Sequence, residues 1–380
     1  MKQFLKNVAA TVLGVIIAGS LAGVFFFIGL MGLALSDNDT TSINDNSVLV
    51  IKLSGVMNEH NDAANPLDAL MDKAPTPSVS DIVQAVKKAK TDSRIKGIYI
   101  EAGLFAADSY ASMEAVHDAL ADFRKSGKWI IAYGDSYTQG AYYIASTASK
   151  LYLNPQGQID WHGLSAQKLY FKDLLAKFGV KIQVAKVGTY KSATEMFTAD
   201  KMSDADRAQT TAYIGAIWKN ITAAVSKSRN IPVARLNQLA DSMIVLADPT
   251  DYVKTKMVDG LLYTDQVKGI VKKQLGSDDI CQVTPGDINA DETDDSGDEI
   301  AVYYACGSIV DGNASIDNGQ CIDAQKVCRD LEDLANDHDV KAVVLRINSG
   351  GGSAYASEQI WHQVSELKKW KSTDTSKKYK

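Results

Sequence analysis

Lys191 is the residue whose type and position best suit it for chemistry. It follows the turn Gly188-Thr189-Tyr190, which itself follows the apolar run IQVAKV at residues 182–187. That run is predicted to be a buried strand, and a lysine at the end of a buried strand is desolvated. Desolvation disfavours the ammonium form, so such a lysine can be neutral near pH 7 and serve as a general base. Its pKa must fall from about 10.4 towards 7–8, and each unit costs roughly 1.4 kcal/mol. For a lone lysine, spacing by itself favours the alternative of an ordinary surface side chain. A second candidate is RINSGGGSAYASE, residues 346–358, where a strand runs into Gly350, Gly351 and Gly352. Backbone N–H groups exposed there can stabilise an oxyanion. The structural alternative is a strand-to-helix turn with Ser353 as N-cap. A phosphate loop is disfavoured, because no lysine follows the glycines as G-K-[ST] requires. Ser136 and Ser146, within GDSYTQGAYYIAS (134–146), are weak nucleophile candidates, as are Ser353 and Ser192, the latter adjacent to Lys191 and expected to point elsewhere. Histidines are scarce and no HxxxH or CxxC pair occurs, so neither a metal site nor a cofactor is expected.

These residues need elements to hold them. SVLVIKLSGVM (47–57) and IKGIYIEA (95–102) read as buried strands, as does KWIIAYGD (128–135). DIVQAVKKAKTD (81–92) reads as a helix with Ile82, Val83, Val86 and Ala89 on one face. SYASMEAVHDALADFRKSG places Met113, Val116, Leu120 and Phe123 at helical spacing, with Gly127 as its stop. Strands alternating with helices imply βαβ units and a mainly parallel sheet. The pattern then restarts. EIAVYYACGSIV (299–310) is similar to SVLVIKLSGVM, and residues 340–365 match 95–120 without a gap, so that Tyr110, Ala111, Ser112 and His117 fall on Tyr355, Ala356, Ser357 and His362. This indicates an internal duplication. The first copy is complete and the second stops after its first helix, with a polar, Lys-rich KSTDTSKKYK where the first copy has a strand. An early stop or a frameshift is one expectation and a short disordered terminus the other.

At 380 residues and 46% hydrophobic, the chain can bury a sizeable core, and two domains are expected. A net charge of −6 gives no sign of a nucleic-acid partner. Residues 8–35 carry no charge, a run longer than the ~20 residues of a bilayer helix. Lys2 and Lys6 precede it and Asp37 and Asp39 follow, so the N-terminus is expected in the cytoplasm and the bulk outside. A cleaved signal peptide would have an apolar region of only about 7–15 residues. The predicted organisation is a cytoplasmic stub (1–7), an anchor (8–35), a linker (36–47), a first domain (48–275), an acidic linker (276–299) and a second domain (300–380). Cys281, Cys306, Cys321 and Cys328 all lie in the last hundred residues. In an exported domain they could pair or remain buried thiols.

VGTYKSATEMFTADKMSDADR (187–207), with the helix through Trp218 and the upstream LYLNPQGQIDWHGLSAQKLYFKDLLAKFGVKIQ, closely resembles the lysine region of the signal peptide peptidase A (protease IV) family in its long form. The resemblance covers residues 47–265, with a partial second copy beyond. It implies an α/β fold of Clp-protease/crotonase type, built of repeated ββα units in tandem behind a transmembrane helix. It implies a membrane-anchored serine endopeptidase with a Ser-Lys dyad that degrades cleaved signal peptides or other apolar peptides, in a ring of four chains at the bacterial inner membrane. Lys191 would then be the general base, and Gly351 and Gly352 the oxyanion and substrate wall, with Gly350 where the family has proline. The family's nucleophile motif is G-x-x-A-A-S-G-G-Y-x-I-A, and here Gln139 holds the serine position, as in the long form's first half. The nucleophile itself would lie beyond the last residue, so the chain is expected to be inactive alone. Two other readings stay open: a non-catalytic membrane pseudoprotease that binds peptides or joins assemblies, and an acyl-CoA enzyme of crotonase type, which the apolar anchor and the YKSA segment speak against.

Overall fold

The computed structural model describes residues 2–36, 43–61, 76–290, 297–312 and 321–373. The chain divides into two compact units, Met1–Asp291 and Glu292–Lys380.

The first unit opens with α1 (Lys2–Ser36), polar at its start and without a charge over residues 11–26, where Ile16, Leu21 and Phe25 are exposed. Among the described residues no helix is long and apolar enough to cross a membrane, the uninterrupted run of described side chains in α1 being residues 11–26. Then come β1 (Ser47–Met57), α2 (Val79–Thr91), β2 (Ile95–Ala107), α3 (Tyr110–Phe123), β3 (Trp129–Gly134), α4 (Gln139–Ala145) and β4 (Lys150–Leu153). The chain continues through α5 (Lys172–Lys177), α6 (Glu195–Thr198), α7 (Asp204–Arg229), α8 (Val233–Asp241), α9 (Pro249–Lys254), β5 (Gly260–Leu261), α10 (Thr264–Leu275), β6 (Cys281–Val283) and α11 (Pro285–Ala290). The six strands form one sheet in the order β5-β4-β3-β2-β1-β6, every pairing parallel.

Parallel sheets are covered on both faces, so their strands read as continuous apolar runs. Leu49, Ile51 and Leu53 of β1 and Ile98 and Ile100 of β2 pack with Ile82 and Val86 of α2 and with Val116, Leu120 and Phe123 of α3. On the other face Val48, Val50, Tyr99, Ile131 and Tyr133 pack with Val267 and Val271 of α10. Each such side chain contributes roughly 1.5–3 kcal/mol when fully buried. Local signals fix the helix starts. Ser78 and Asp81 close a capping box on α2, Ser109 caps α3 and Thr138 caps α4. Gly127 ends the turn after α3 in the left-handed region at φ +83°.

The expected linker over 276–299 needs correction. Its residues 281–290 belong to the first unit, where β6 pairs with the start of β1 and α11 buries Ile288 and packs on α2. A three-residue strand is too short to outweigh an acidic neighbourhood in composition. The core of that acidic stretch, 291–296, lies outside the described residues, as do 37–42 of the predicted first linker and 374–380 of the polar tail.

The second unit comprises β7 (Glu299–Cys306), β8 (Ser308–Val310), β9 (Cys321–Asp323), α12 (Ala324–Asn336), β10 (Val340–Asn348) and α13 (Ala354–Thr373). β7 pairs in parallel with β10, and β8 with β9. A small core of Ala305, Ile322, Val327, Leu331 and Leu367 holds it together, while Ile300, Val302 and Val344 are exposed. Cys328 is a free thiol on α12, and burial pushes it up.

Candidate active site

Gln139 is the first residue of α4, just beyond the C-terminal end of β3. Thr138 fixes its position twice over. The Thr138 hydroxyl accepts from the Ala141 N–H and donates to the Phe105 carbonyl at 2.8 Å, tying the head of α4 to β2. The Gln139 amide then grips the chain opposite. Its Oε1 accepts from the N–H groups of His162 (3.2 Å) and Gly163 (3.0 Å), and its Nε2 donates to the Gly163 carbonyl at 3.1 Å. The gripped segment is itself anchored. Tyr137 bridges Ile159, and Trp161 is fully buried against Tyr142 and Trp218, with its Nε1 donating to the Leu236 carbonyl at 3.0 Å. The side chain at the serine-like position is therefore a clamp, and an amide is no nucleophile.

Beside Gln139 lies a cavity of about 320 Å3, walled by Tyr110, Met113, Gly140, Tyr143, Ile217 and Ile221. It sits at the C-terminal ends of parallel strands, where α/β folds place ligands. Behind Tyr143 stacks His117, ring centroids 4.6 Å apart. His117 Nδ1 faces the Asp118 carboxylate at 3.2 Å, and burial pushes its pKa down. Burial likewise pushes the Tyr143 phenol up.

The strand expected over 182–187 is not formed, which corrects the reading of Lys191 as a buried strand-end residue. Residues 181–187 carry no ladder, Val187 is 90% exposed, and Lys191 itself is exposed. Apolar, β-branched composition favours an extended chain, but a strand also needs a neighbour, and residues 181–187 join none of the six strands of this sheet. The chain just beyond Lys191 is firmly held. The Ser192 hydroxyl accepts from Gln209 Nε2 at 2.8 Å, and that amide also donates to Asp206 at 2.9 Å. The Asp206 side chain is only 1% accessible and takes Lys168 Nζ at 2.5 Å on both oxygens. That ammonium holds the Asp206 carboxyl down at about 2. Buried Glu195 accepts from the Ser203 hydroxyl at 2.8 Å, and Lys186 Nζ donates to the Lys191 carbonyl at 3.4 Å. The Asp206 and Glu195 anchors have no periodic pattern. Their only trace in the sequence is charge, Glu195 in KSATEMF and Asp206 in MSDADR.

Ser146 is buried and its hydroxyl donates to the Tyr143 carbonyl at 2.7 Å, so neither it nor Ser192 stands free as a nucleophile. Gly351 and Gly352 belong to the second unit. Gly351 lies at φ +108° and its N–H donates to Ser349 Oγ at 3.0 Å. Gly352 bridges Ile309, and an added Cβ would sit 2.1 Å from the Ile309 carbonyl oxygen, so only glycine fits. Ser353 Oγ accepts from the Ala356 N–H at 3.2 Å and caps α13. Among the described residues no group of three or more His, Cys, Asp or Glu is gathered to hold a metal.

Residues 122–277 match Peptidase family S49, a span that holds both Gln139 and Lys191. Protease 4 of Salmonella typhi is 35% identical over 358 residues, covering 88% of this chain and 57% of its own length. Protease 4 of Haemophilus influenzae is 31% identical over 370 residues, covering 91% and 59%. The chain thus spans less than two thirds of the length of these relatives. A solved membrane-bound stomatin-specific protease, 1510-N, is 11% identical over 59% of this chain and 83% of its own, with a TM-score of 0.33, too loose a likeness to carry an argument.

Proposed function

We propose that this chain, whose residues 122–277 match Peptidase family S49, is the lysine-bearing part of a membrane-anchored serine endopeptidase acting on cleaved signal peptides and other apolar peptides. The observation that carries this is the position of Lys191 inside the S49 match, on a segment whose far side is pinned by Asp206 and Glu195. Lys191 is the base, and its desolvation comes from whatever covers residues 178–191 when the active assembly forms. Gly351 and Gly352 serve as the oxyanion and substrate wall, with the Gly351 N–H turned from Ser349 towards substrate. Gln139 supplies no nucleophile, so the serine that partners Lys191 is not at this position of the first unit.

The fold is of Clp-protease/crotonase type, with the ββα unit used twice. α1 is the anchor: a helix that is apolar all round needs an apolar surrounding, and Lys2 and Lys6 keep its start in the cytoplasm. The bulk then lies outside the bacterial inner membrane, where several copies, four by family resemblance, assemble. A second reading, a non-catalytic peptide-binding subunit, is favoured by the Gln139 clamp.

The test is cleavage of a fluorogenic leucine-rich peptide by the purified chain in detergent, alone and mixed with a full-length S49 peptidase whose own lysine is replaced. The chain alone stays silent and the mixture cleaves, with Lys191→Ala abolishing that rescue. Cleavage by the chain alone, or rescue by Lys191→Ala, refutes the dyad reading. A mixture that stays silent leaves the peptide-binding reading as the better one.

A further inference from the structure

We infer that the cavity beside Gln139 is a peptide-holding site that takes one large apolar side chain and cannot cut the chain it holds. This rests on the peptide-directed reading above and adds a site to it. No charged residue lines the cavity, so a charged side chain would be desolvated there without a partner. Its walls come from three helices: Tyr110 and Met113 of α3, Gly140 and Tyr143 of α4, and Ile217 of α7. Gly140 lets Met113 pack directly on α4, since a Cβ there would stand 2.7 Å from Met113 Sδ and displace this wall. At about 320 Å3 it has room for a leucine, methionine or phenylalanine side chain. Leu164 and Tyr213, 40% and 52% exposed, form its mouth, so the cavity is reached from outside.

A peptide fits better than a free acyl chain because of the neighbouring backbone. The last pairing of β2 with β3 is Ala102 with Gly134, yet β2 runs on through 103–107 to Ala107 at the cavity wall. Its β1 side is paired and the Phe105 carbonyl is taken by Thr138, so the rest of its β3-side edge is what an added extended chain would meet, while the pocket reads that chain's side chain. At the point where a cutting copy would present a serine, both ends of the Gln139 amide are engaged by His162 and Gly163. A chain seated here meets no nucleophile and leaves whole.

The test is calorimetric titration of the full chain in detergent with a water-soluble hexapeptide carrying one central leucine, and with its alanine analogue. The leucine peptide binds about tenfold to a hundredfold more tightly, the range expected for burying one such side chain. Leu164→Asp at the exposed mouth and Met113→Trp in the wall each remove that difference while the melting temperature of Leu164→Asp stays unchanged. Equal affinities for the two peptides, no binding, or leucine preference surviving in Leu164→Asp overturns the inference. Binding is read without cleavage, so a failed peptidase test leaves a positive result standing, and absent leucine preference overturns the cavity site alone.

Discussion

Residues 134–163 and residues 164–203 of the first unit are consecutive in the chain and are built in opposite ways. The earlier stretch is closed on itself: Tyr137, Tyr142 and Trp161 are fully buried, and Gln139 ties its two ends together. The later stretch exposes Leu169 (66%), Phe178 (75%) and Val187 (90%), and it is tied down at its two ends, Lys168 to Asp206 and Glu195 to Ser203, with its apolar middle left uncovered. The residue that cannot do nucleophilic chemistry sits in finished structure. The residue suited to be a base sits on an apolar segment that this unit does not cover. A lysine has to be desolvated to act as a base, so its environment must come from outside the sheet that carries it.

The comparison breaks first at Trp161. Trp161→Ala should destabilise the first unit by about 3–5 kcal/mol, read by chemical denaturation, because it empties a fully buried site and frees the Leu236 carbonyl. A loss below about 1 kcal/mol would mean the earlier stretch is not closed as described. Next comes Asp206→Asn, at about 1–3 kcal/mol, confined to residues 164–209 in hydrogen exchange, since Lys168 loses its charged partner. The same contact gives a pH signature. The Asp206 carboxyl is depressed when folded, so its contribution is complete above the ordinary aspartate value near 4 and is lost as pH falls towards about 2. Protection of the Ser192–Arg207 amides should fall over that window in the native chain and be flat in the Asn variant.

Gln139→Ala removes three hydrogen bonds and should cost about 1–2 kcal/mol, with faster exchange at the His162 and Gly163 amides. Smallest is Lys191→Ala, expected within about 0.5 kcal/mol of the parent in the isolated chain, because the side chain is exposed. A larger loss there would show that Lys191 is already held in place, and the contrast between the two stretches would fail.

Much of the core around the closed stretch could be read in advance. Helix spacing gives Ile82, Val86, Val116 and Leu120 as core, and the residue type at position 139 announces the missing nucleophile. The grip of Gln139 on Gly163 could not be read, because a side-chain to backbone contact 24 positions apart leaves no periodic trace. IQVAKV misleads for a physical reason. Composition reports how readily a chain extends, not whether a neighbouring strand is there to receive its hydrogen bonds. β6 is missed from the other direction: three residues pair with β1 inside a stretch whose charge reads as linker.

That β6 closes the sheet against β1 has a consequence in time. Ser47 and Cys281 are partners 234 positions apart. At about 5–20 residues per second, the ribosome needs roughly ten to fifty seconds between making the first strand and the last. Through that interval one edge of β1 stays unpaired. The first unit can complete itself only late in synthesis, and whatever shields a nascent apolar edge has to act throughout that wait.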